Sequence, residues 1–426
     1  MDDVRNIWSR MLAFCSASFF HKLYKIKDVY MNLTSNSILH LVPIEIRKDK
    51  KHYIVEAEVS GEFYEMPEVC IDAINLMNKG ESLGRTEKLL KEKYPTEEID
   101  ILDFAQQLLE LHLIAEMDGV KLDPPTAQKS HSGFLWVPQK LGQFFFNRYT
   151  NSVYSVLFLG CIVLFVLNPS LFPHYKDLFI FDLMVLNIPA WLVLSFLLVL
   201  IHEFGHVLAI RAYQLPTKLE IGHRLFLVVL ETDMSSSWKL PAKDRNVLYL
   251  AGLRFDTVIL FFALIGQSIF PVGSGIFLSV LKLVVLDTFI RMVYQCCIYM
   301  KTDLYYVFEN TTGAYNLIEN AQQVFRNLFT FIKPARQKEV MFEEEKGTVF
   351  TYTIFYVLGV GLTLSLFFGY YLPQVLFAMT KIHHCFHYGP STYHFWDAAL
   401  SSLQLLIGFL LLLYSLRKKY IKKQNI

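Results

Sequence analysis

Beyond about residue 150 the chain alternates long apolar runs with short polar loops, whereas residues 1 to about 125 hold many of the charges. A bilayer-spanning helix needs ~20 predominantly apolar residues. Six segments qualify: Ser152–Leu167, Ile188–Ile210, Val247–Phe270, Ile276–Met300, Val349–Tyr371 and Phe395–Leu416. Lys and Arg in the loops set the expected orientation. The loop 211–245 carries Arg211, Lys218, Arg224, Lys239, Lys243 and Arg245, and the loop 301–346 carries Lys301, Arg326, Lys333, Arg336, Lys338 and Lys346. The C-terminal tail adds Arg417, Lys418, Lys419, Lys422 and Lys423, while the intervening loops carry only Lys176 and Lys381. This asymmetry places both termini in the cytoplasm, which requires an even number of spans. The N-terminal MDDVRNIWSR carries acids, and the apolar stretch after it is short and broken, so no secretory signal is expected.

The charged N-terminal part has a different periodicity. Ile38–Ile46 and His52–Val59 read as the strands of a hairpin, with Arg47-Lys48-Asp49-Lys50-Lys51 as its turn. A third strand, Phe63–Met66, follows. The period then changes to 3.6, with Pro67 at a first helical position and Cys70, Ile74 and Met77 on one face. A second helix is expected over Thr86–Tyr94. A third starts near Thr96, with Glu97 and Glu98 in its first turn and Ile101, Phe104, Leu108 and Leu111 on one face. Leu113–Glu116 reads as a closing strand. The expected fold is thus an α-helical polytopic membrane protein of about six spans with an N-terminal α+β winged-helix-like domain. Its segments are an extension at 1–37, the winged-helix domain at 38–122, a linker and interfacial segment at 123–150, and the membrane domain at 151–426. In the third of these, Asp123-Pro124-Pro125 is linker-like, and Trp136, Phe144, Phe145, Phe146 and Arg148 are interfacial in character.

Composition agrees. Of 426 residues, 53% are hydrophobic and 19% charged, where a soluble domain averages about 25% charged. Mean hydropathy is +0.34. A disordered chain and a disulfide-stapled mini-protein are excluded. Net charge is +1, residues 81–123 are acid-rich and no basic recognition helix is visible, so no nucleic-acid partner is expected. The six cysteines (Cys15, Cys70, Cys161, Cys296, Cys297 and Cys385) form no CxxC pair and read as small apolar residues.

The candidate chemistry sits at the end of the second apolar run, in His202-Glu203-Phe204-Gly205-His206. On a helix, residues i and i+4 share a face, so both imidazoles can reach one metal while Glu203 can take a proton from water. Ionisable groups in an apolar span are costly and are functional by default. Zinc suits two neutral imidazoles and a carboxylate. Three later acids compete for the place of third ligand: Asp256, Asp287 and Asp303. Asp287 has Arg291 four residues on, an ion pair on one helix face. Asp256 lies two residues from Arg254, which faces another way. Asp303 follows the fourth span at the depth of His202 and His206. His383, His384, His387 and His394 lie on the outer side with no acid before Asp397, and read as solvated loop residues. The loop 218–240 is partly apolar and is expected at the membrane edge.

The motifs HEFGHVLAIRA, TDMSSSWKLPAKDRNVLYLAG and KTDLYYVFENTTGAYNL together resemble the site-2 protease family of intramembrane zinc metalloproteases, in particular peptide zinc metalloproteases of bacterial peptide-maturation clusters. The resemblance covers about residues 150–345. It implies one catalytic zinc on His202, His206 and Asp303, with Glu203 as general base. Leu304 stands where the family usually has Gly after the aspartate, Leu253 where Pro is expected after Ala251-Gly252, and Cys297-Ile298 near the place of an Asn-Pro element.

Residues 38–118 resemble a PqqD-like domain, a peptide-recognition element in which a precursor's leader adds as a strand beside the third β-strand against the third helix. That resemblance implies substrate contacts at Phe63, Tyr64, Glu65, Met66, Ile101, Phe104 and Leu108. The expected function is a membrane metalloprotease cleaving a peptide or membrane-associated substrate, with a ribosomally made precursor peptide and the lipid bilayer as partners. Two alternatives remain. One is a non-catalytic peptide-binding or immunity-type membrane protein with a structural metal. The other is a protease that releases a membrane-tethered regulator.

Overall fold

The computed structural model describes residues 33–50, 52–95, 97–122, 133–224, 227–270, 275–314, 317–318, 321 and 346–424. Most of the expected extension 1–37, the start of the linker 123–150, Lys51, Thr96 and the basic residues Arg326, Lys333, Arg336 and Lys338 lie outside them. The chain divides into two compact units. One is Met1–His131 with Trp238–Ala242 and Glu309–Thr353; the other is Ser132–Ser237 with Lys243–Phe308 and Ile354–Ile426.

In the first unit, the strand expected over Ile38–Ile46 is two strands. β1 (Leu39–Leu41) and β2 (Ile44–Asp49) belong to different sheets. Pro43 lies at the break; it has no N–H for the ladder and a fixed φ, so the chain changes direction there. β1 pairs antiparallel with β5 (Ile114–Met117), which pairs with β6 (Val120–Lys121). β2 pairs with β3 (His52–Ala57), and β3 with β4 (Glu62–Met66). The expected turn shrinks. Arg47, Lys48 and Asp49 pair in the ladder with Ile54, Tyr53 and His52, and Lys50 takes the positive φ of 54°.

Three helices follow. Pro67 caps α1 (Glu68–Asn78) from outside instead of opening it. α2 spans Leu83–Lys93, starting three residues before Thr86. α3 (Ile101–Glu110) starts later than expected, because Asp100 is its N-cap: the carboxylate accepts from the Asp103 N–H at 3.0 Å. Glu97 and Glu98 therefore precede the helix, and burial raises the Glu97 carboxyl above its usual value. Leu39, Val55, Tyr64, Met66, Cys70, Ile74, Met77, Leu90, Ile101, Phe104 and Leu108 form one core. Burial pushes the Cys70 thiol well up, as suits a small apolar packing residue.

The opposite face of the β2–β3–β4 sheet is also covered. Arg47 donates to the carbonyls of Trp238 and Lys239, the latter at 2.6 Å. The Lys239 ammonium sits 2.7 Å from Glu56 and 5.9 Å from the centre of the Phe63 ring. Lys50 donates to the carbonyls of Asn310 and Thr311.

The second unit is helical. α4 (Gln139–Phe145) leads through an Asn147 capping box into α5 (Arg148–Leu167). α6 (Met184–Ala212) is followed by a hairpin of β7 (Leu219–Arg224) and β8 (Leu227–Thr232). Then come α7 (Ala242–Tyr249), α8 (Ala251–Ile269), α9 (Ile276–Gln295), α10 (Asp303–Thr312), α11 (Lys346–Leu366), α12 (Leu372–Phe386) and α13 (Tyr393–Gln424). α8 packs against α5, α6 and α9. Gly142 of α4 lets two backbones approach, since a Cβ there would meet the Leu208 carbonyl and the Ala212 nitrogen of α6.

Among the described residues, five helical stretches are long and apolar enough to cross a membrane: Arg148–Leu167, Met184–Ala212, Ala242–Ile269, Gly347–Phe386 and Tyr393–Ser415. The fourth expected span, Ile276–Met300, exists as α9, but Lys282, Asp287 and Arg291 all fall within any 18 consecutive residues of it, one charge more than any of the five stretches has in its most apolar 18. It also ends at Gln295, not Met300. The fifth expected span does not stop at Tyr371. It continues to Phe386 through a π-helical turn at Phe367–Tyr371, where Leu372 N bonds back to Phe367 O. Pro373 cannot donate to the helical ladder, and a widened turn accommodates the lost bond. His383 and His384 are thereby helical, not in a loop.

The start of α6 is capped by another helix. Asp397 of α13 accepts from Met184 N at 3.0 Å and Val185 N at 2.9 Å, and is itself buried. Replacing Asp397 by Ala leaves two buried donors without their partner. A loss of about 1–3 kcal/mol is expected. It is read as a lower melting temperature of the detergent-purified protein, with Asp397→Asn closer to wild type because one amide oxygen still accepts.

Candidate metal centre

The HExxH segment lies in the last third of α6, where the helix turns from half-exposed to buried. The i, i+4 spacing stacks the imidazoles on one face, with ring centroids 5.1 Å apart. Their tautomers follow from their other contacts. His206 Nδ1 lies 2.9 Å from the Leu248 carbonyl, and His202 Nδ1 lies 2.8 Å from Asp256 Oδ2. A carbonyl and a carboxylate only accept, so each Nδ1 carries the proton and each Nε2 presents its lone pair.

Those two lone pairs converge with a carboxylate. His202 Nε2 is 3.1 Å and His206 Nε2 is 3.4 Å from Asp303 Oδ2, and the two Nε2 atoms are 3.3 Å apart. Three such atoms facing one another repel unless a proton or a metal cation lies among them. Nitrogen and oxygen ligands at about 2.05 Å from a tetrahedral zinc would be about 3.3 Å from each other. The triangle therefore matches one face of such a tetrahedron, and the buried His202–His206–Asp303 group can hold a metal ion.

The three competing acids have separate places. Asp303, first residue of α10, is in the triangle. Asp256, fully buried on α8, reaches the far side of the His202 ring. Such an outer partner fixes ring orientation and raises ligand basicity. Asp287 is not in the triangle and lies 3.6 Å from Arg291 on the same helix, the expected i, i+4 pair.

Glu203 is buried beside the triangle without being part of it. Its Oε2 accepts from Thr232 N at 2.9 Å and from Thr232 Oγ1 at 2.8 Å, at the end of β8. Of the two carboxylate oxygens, Oε2 is thus committed to positioning, and Oε1 is the one left for a proton. The loop 218–240, expected at the membrane edge, is the element that holds this carboxylate.

No protein-family model, curated protein or solved structure matches the chain. The functional reading therefore rests on residues and geometry.

The residues expected to touch a peptide are mostly interior. Tyr64, Met66, Ile101, Phe104 and Leu108 are core side chains, at most 2% exposed. Phe63 and Glu65 are half-buried, with Phe63 under Lys239 and Glu65 3.8 Å from His52. What β4 leaves for a partner is therefore main chain: it is the last strand of its sheet in the order β2-β3-β4. The histidines at 383–394 form ring contacts (His383 with His387 at 4.9 Å, His394 with Tyr388 at 4.8 Å). No acid joins them in a metal-binding group among the described residues.

Sequence reasoning missed Thr232, Leu248 and Gly252. Gly252 is informative: a Cβ there would fall on the His202 ring. Its place in AGLRFD, four residues before Asp256, was the available signal. Metal analysis of purified variants checks the assignment of the acids. Asp303→Ala should empty the site, Asp256→Ala should weaken binding by about 10–100-fold, and Asp287→Ala should change it least. An Asp256→Ala protein that is metal-free while Asp303→Ala stays loaded would reverse the roles of the two.

Proposed function

We propose that this chain is a membrane zinc metallopeptidase of the site-2 protease type, acting on a peptide substrate close to the cytoplasmic face. The observation that carries this reading is the triangle of His202 Nε2, His206 Nε2 and Asp303 Oδ2 with a separately held glutamate beside it. A purely structural metal site has no need of Glu203. Nitrogen and carboxylate donors favour zinc over harder cations. Zinc in this site would supply a Lewis acid that polarises the scissile carbonyl and acidifies water at neutral pH.

The chain's own groups then have distinct tasks. His202, His206 and Asp303 hold the ion, and Asp256 and the Leu248 carbonyl keep the imidazoles turned toward it. Glu203 accepts a proton from water at Oε1 and returns it to the leaving nitrogen, while Thr232 keeps the carboxylate in place through Oε2. Apolar helices around the site limit water, so a substrate segment must arrive unwound, since a helix hides its carbonyls in its own hydrogen bonds.

The N-terminal domain is read as the recognition element for a ribosomally made precursor peptide. Its support is the position of β4 as the last strand of the β2–β3–β4 sheet, where an extended leader could add as a further strand. Loop charge asymmetry supports cytoplasmic termini, with α9 as a sixth span whose Asp287–Arg291 pair lowers the cost of its charges.

Two experiments test the reading. Glu203→Gln should retain zinc and fold while cleavage falls by at least 10²-fold, the usual scale for losing a general base; undiminished turnover would overturn the mechanism. Placing Pro at Phe63 or Glu65 in the full chain removes a main-chain donor from β4. It should raise KM for a precursor carrying its leader, and leave a short fragment spanning only the cleavage site unaffected. Equal effects on both substrates would remove the domain from recognition.

A further inference from the structure

Asp287, Arg291 and Gln295 follow one another at four-residue steps along α9, so they share one face of the helix. Such a polar stripe is costly in an apolar helix and needs partners. Trp191 of α6 donates its indole N–H to Asp287 Oδ1 at 3.1 Å. The Arg291 guanidinium spans two carboxylates, with Nη1 3.6 Å from Asp287 Oδ2 and Nη2 3.2 Å from Asp256 Oδ1. The other oxygen of Asp256 meets His202 Nδ1. Gln295 grips Asp303 twice: its Nε2 donates to Asp303 Oδ2 at 3.0 Å, and its Oε1 accepts from the Asp303 backbone N–H at 3.0 Å. Thr302 in turn donates to the Gln295 carbonyl at 2.7 Å.

Two of the three metal-facing groups are therefore braced from the same face of one helix. We propose that α9 is the alignment element of the metal centre, with Arg291 positioning His202 through Asp256 and Gln295 positioning Asp303. This rests on the metal-site reading above. Both are positioning residues, acting on the ligands from behind. The chemistry of each fits its task. A guanidinium presents a planar fork that can face two carboxylates at once, which a lysine ammonium does less well. A carboxamide offers a donor and an acceptor, which the Asp303 carboxylate and its own N–H require together. The Asp256 carboxylate stands between the Arg291 charge, 3.2 Å from Oδ1, and the His202 N–H, 2.8 Å from Oδ2.

The test uses the full-length protein in detergent, with zinc affinity from competition against a chelator and the visible spectrum of the cobalt-loaded protein as a report on ligand geometry. Wild type should take up one equivalent of zinc; if it takes up none, the metal-site reading itself falls, and this inference with it. Given that uptake, Arg291→Met and Gln295→Ala should each weaken zinc binding by about 10–100-fold and alter the cobalt spectrum, and Arg291→Lys should recover part of the loss. The effect of Arg291→Met should vanish in an Asp256→Asn background, whereas that of Gln295→Ala should persist there. Either variant binding zinc and cobalt as wild type does, whatever its melting temperature, would leave the stripe a packing feature and overturn the proposal. So would an Arg291→Met effect undiminished in the Asp256→Asn protein.

Discussion

Three hydrogen-bond acceptors facing one another inside an apolar helical protein form the interaction on which the second unit turns. His202 Nε2, His206 Nε2 and Asp303 Oδ2 approach within 3.1–3.4 Å. With each Nδ1 protonated and the imidazoles neutral, each of these atoms offers a lone pair to the others. A metal ion held there would resolve the conflict, and the surrounding polar contacts would support it. Leu248 O and Asp256 fix the tautomers. Thr232 holds the glutamate apart from the ligands.

Helix packing supplies the geometry. α6 contributes both imidazoles because four residues bring the chain back to the same face. α8 comes close enough to place Asp256 behind His202 only because residue 252 is Gly, where any side chain would enter the ring. Gly205 plays the corresponding part on α6, where a Cβ would crowd the Ala251 carbonyl and the Phe255 ring. Small residues at the crossing thus let polar side chains meet in a region where most neighbours are apolar, as is general for packed membrane helices.

The N-terminal unit is organised on another principle. Its sheet is covered on one side by the three-helix core and on the other by Trp238–Lys239, through Arg47, Glu56 and Phe63. With both faces occupied, the sheet ends in β2 on one side and in β4 on the other. Recognition by backbone pairing needs no exposed apolar surface, and it is compatible with a domain whose candidate contact residues are nearly all interior.

Periodicity along the chain was enough to locate most helices, the change from a strand-rich to a helical region, and HExxH on one helical face. Those are local properties, set by 3.6-residue and two-residue repeats and by the cost of placing charge in an apolar run. Local pattern could not place the break at Pro43, because Val42 and Ile44 suit a strand on either side of it. Nor could it place the start of α3, which is capped by Asp100. Above all it could not rank Asp256, Asp287 and Asp303 from the residues alone. Each is an acid near an apolar helix, and what separates them is distance across the fold: one reaches the lone pairs, one the far side of a ring, one an arginine. Thr232, Leu248, Arg291 and Gln295 act through contacts spanning 8 to 42 residues of chain. Only the packing of α6, α8, α9 and the β7–β8 hairpin brings them to one place, and that packing is a property of the whole membrane unit.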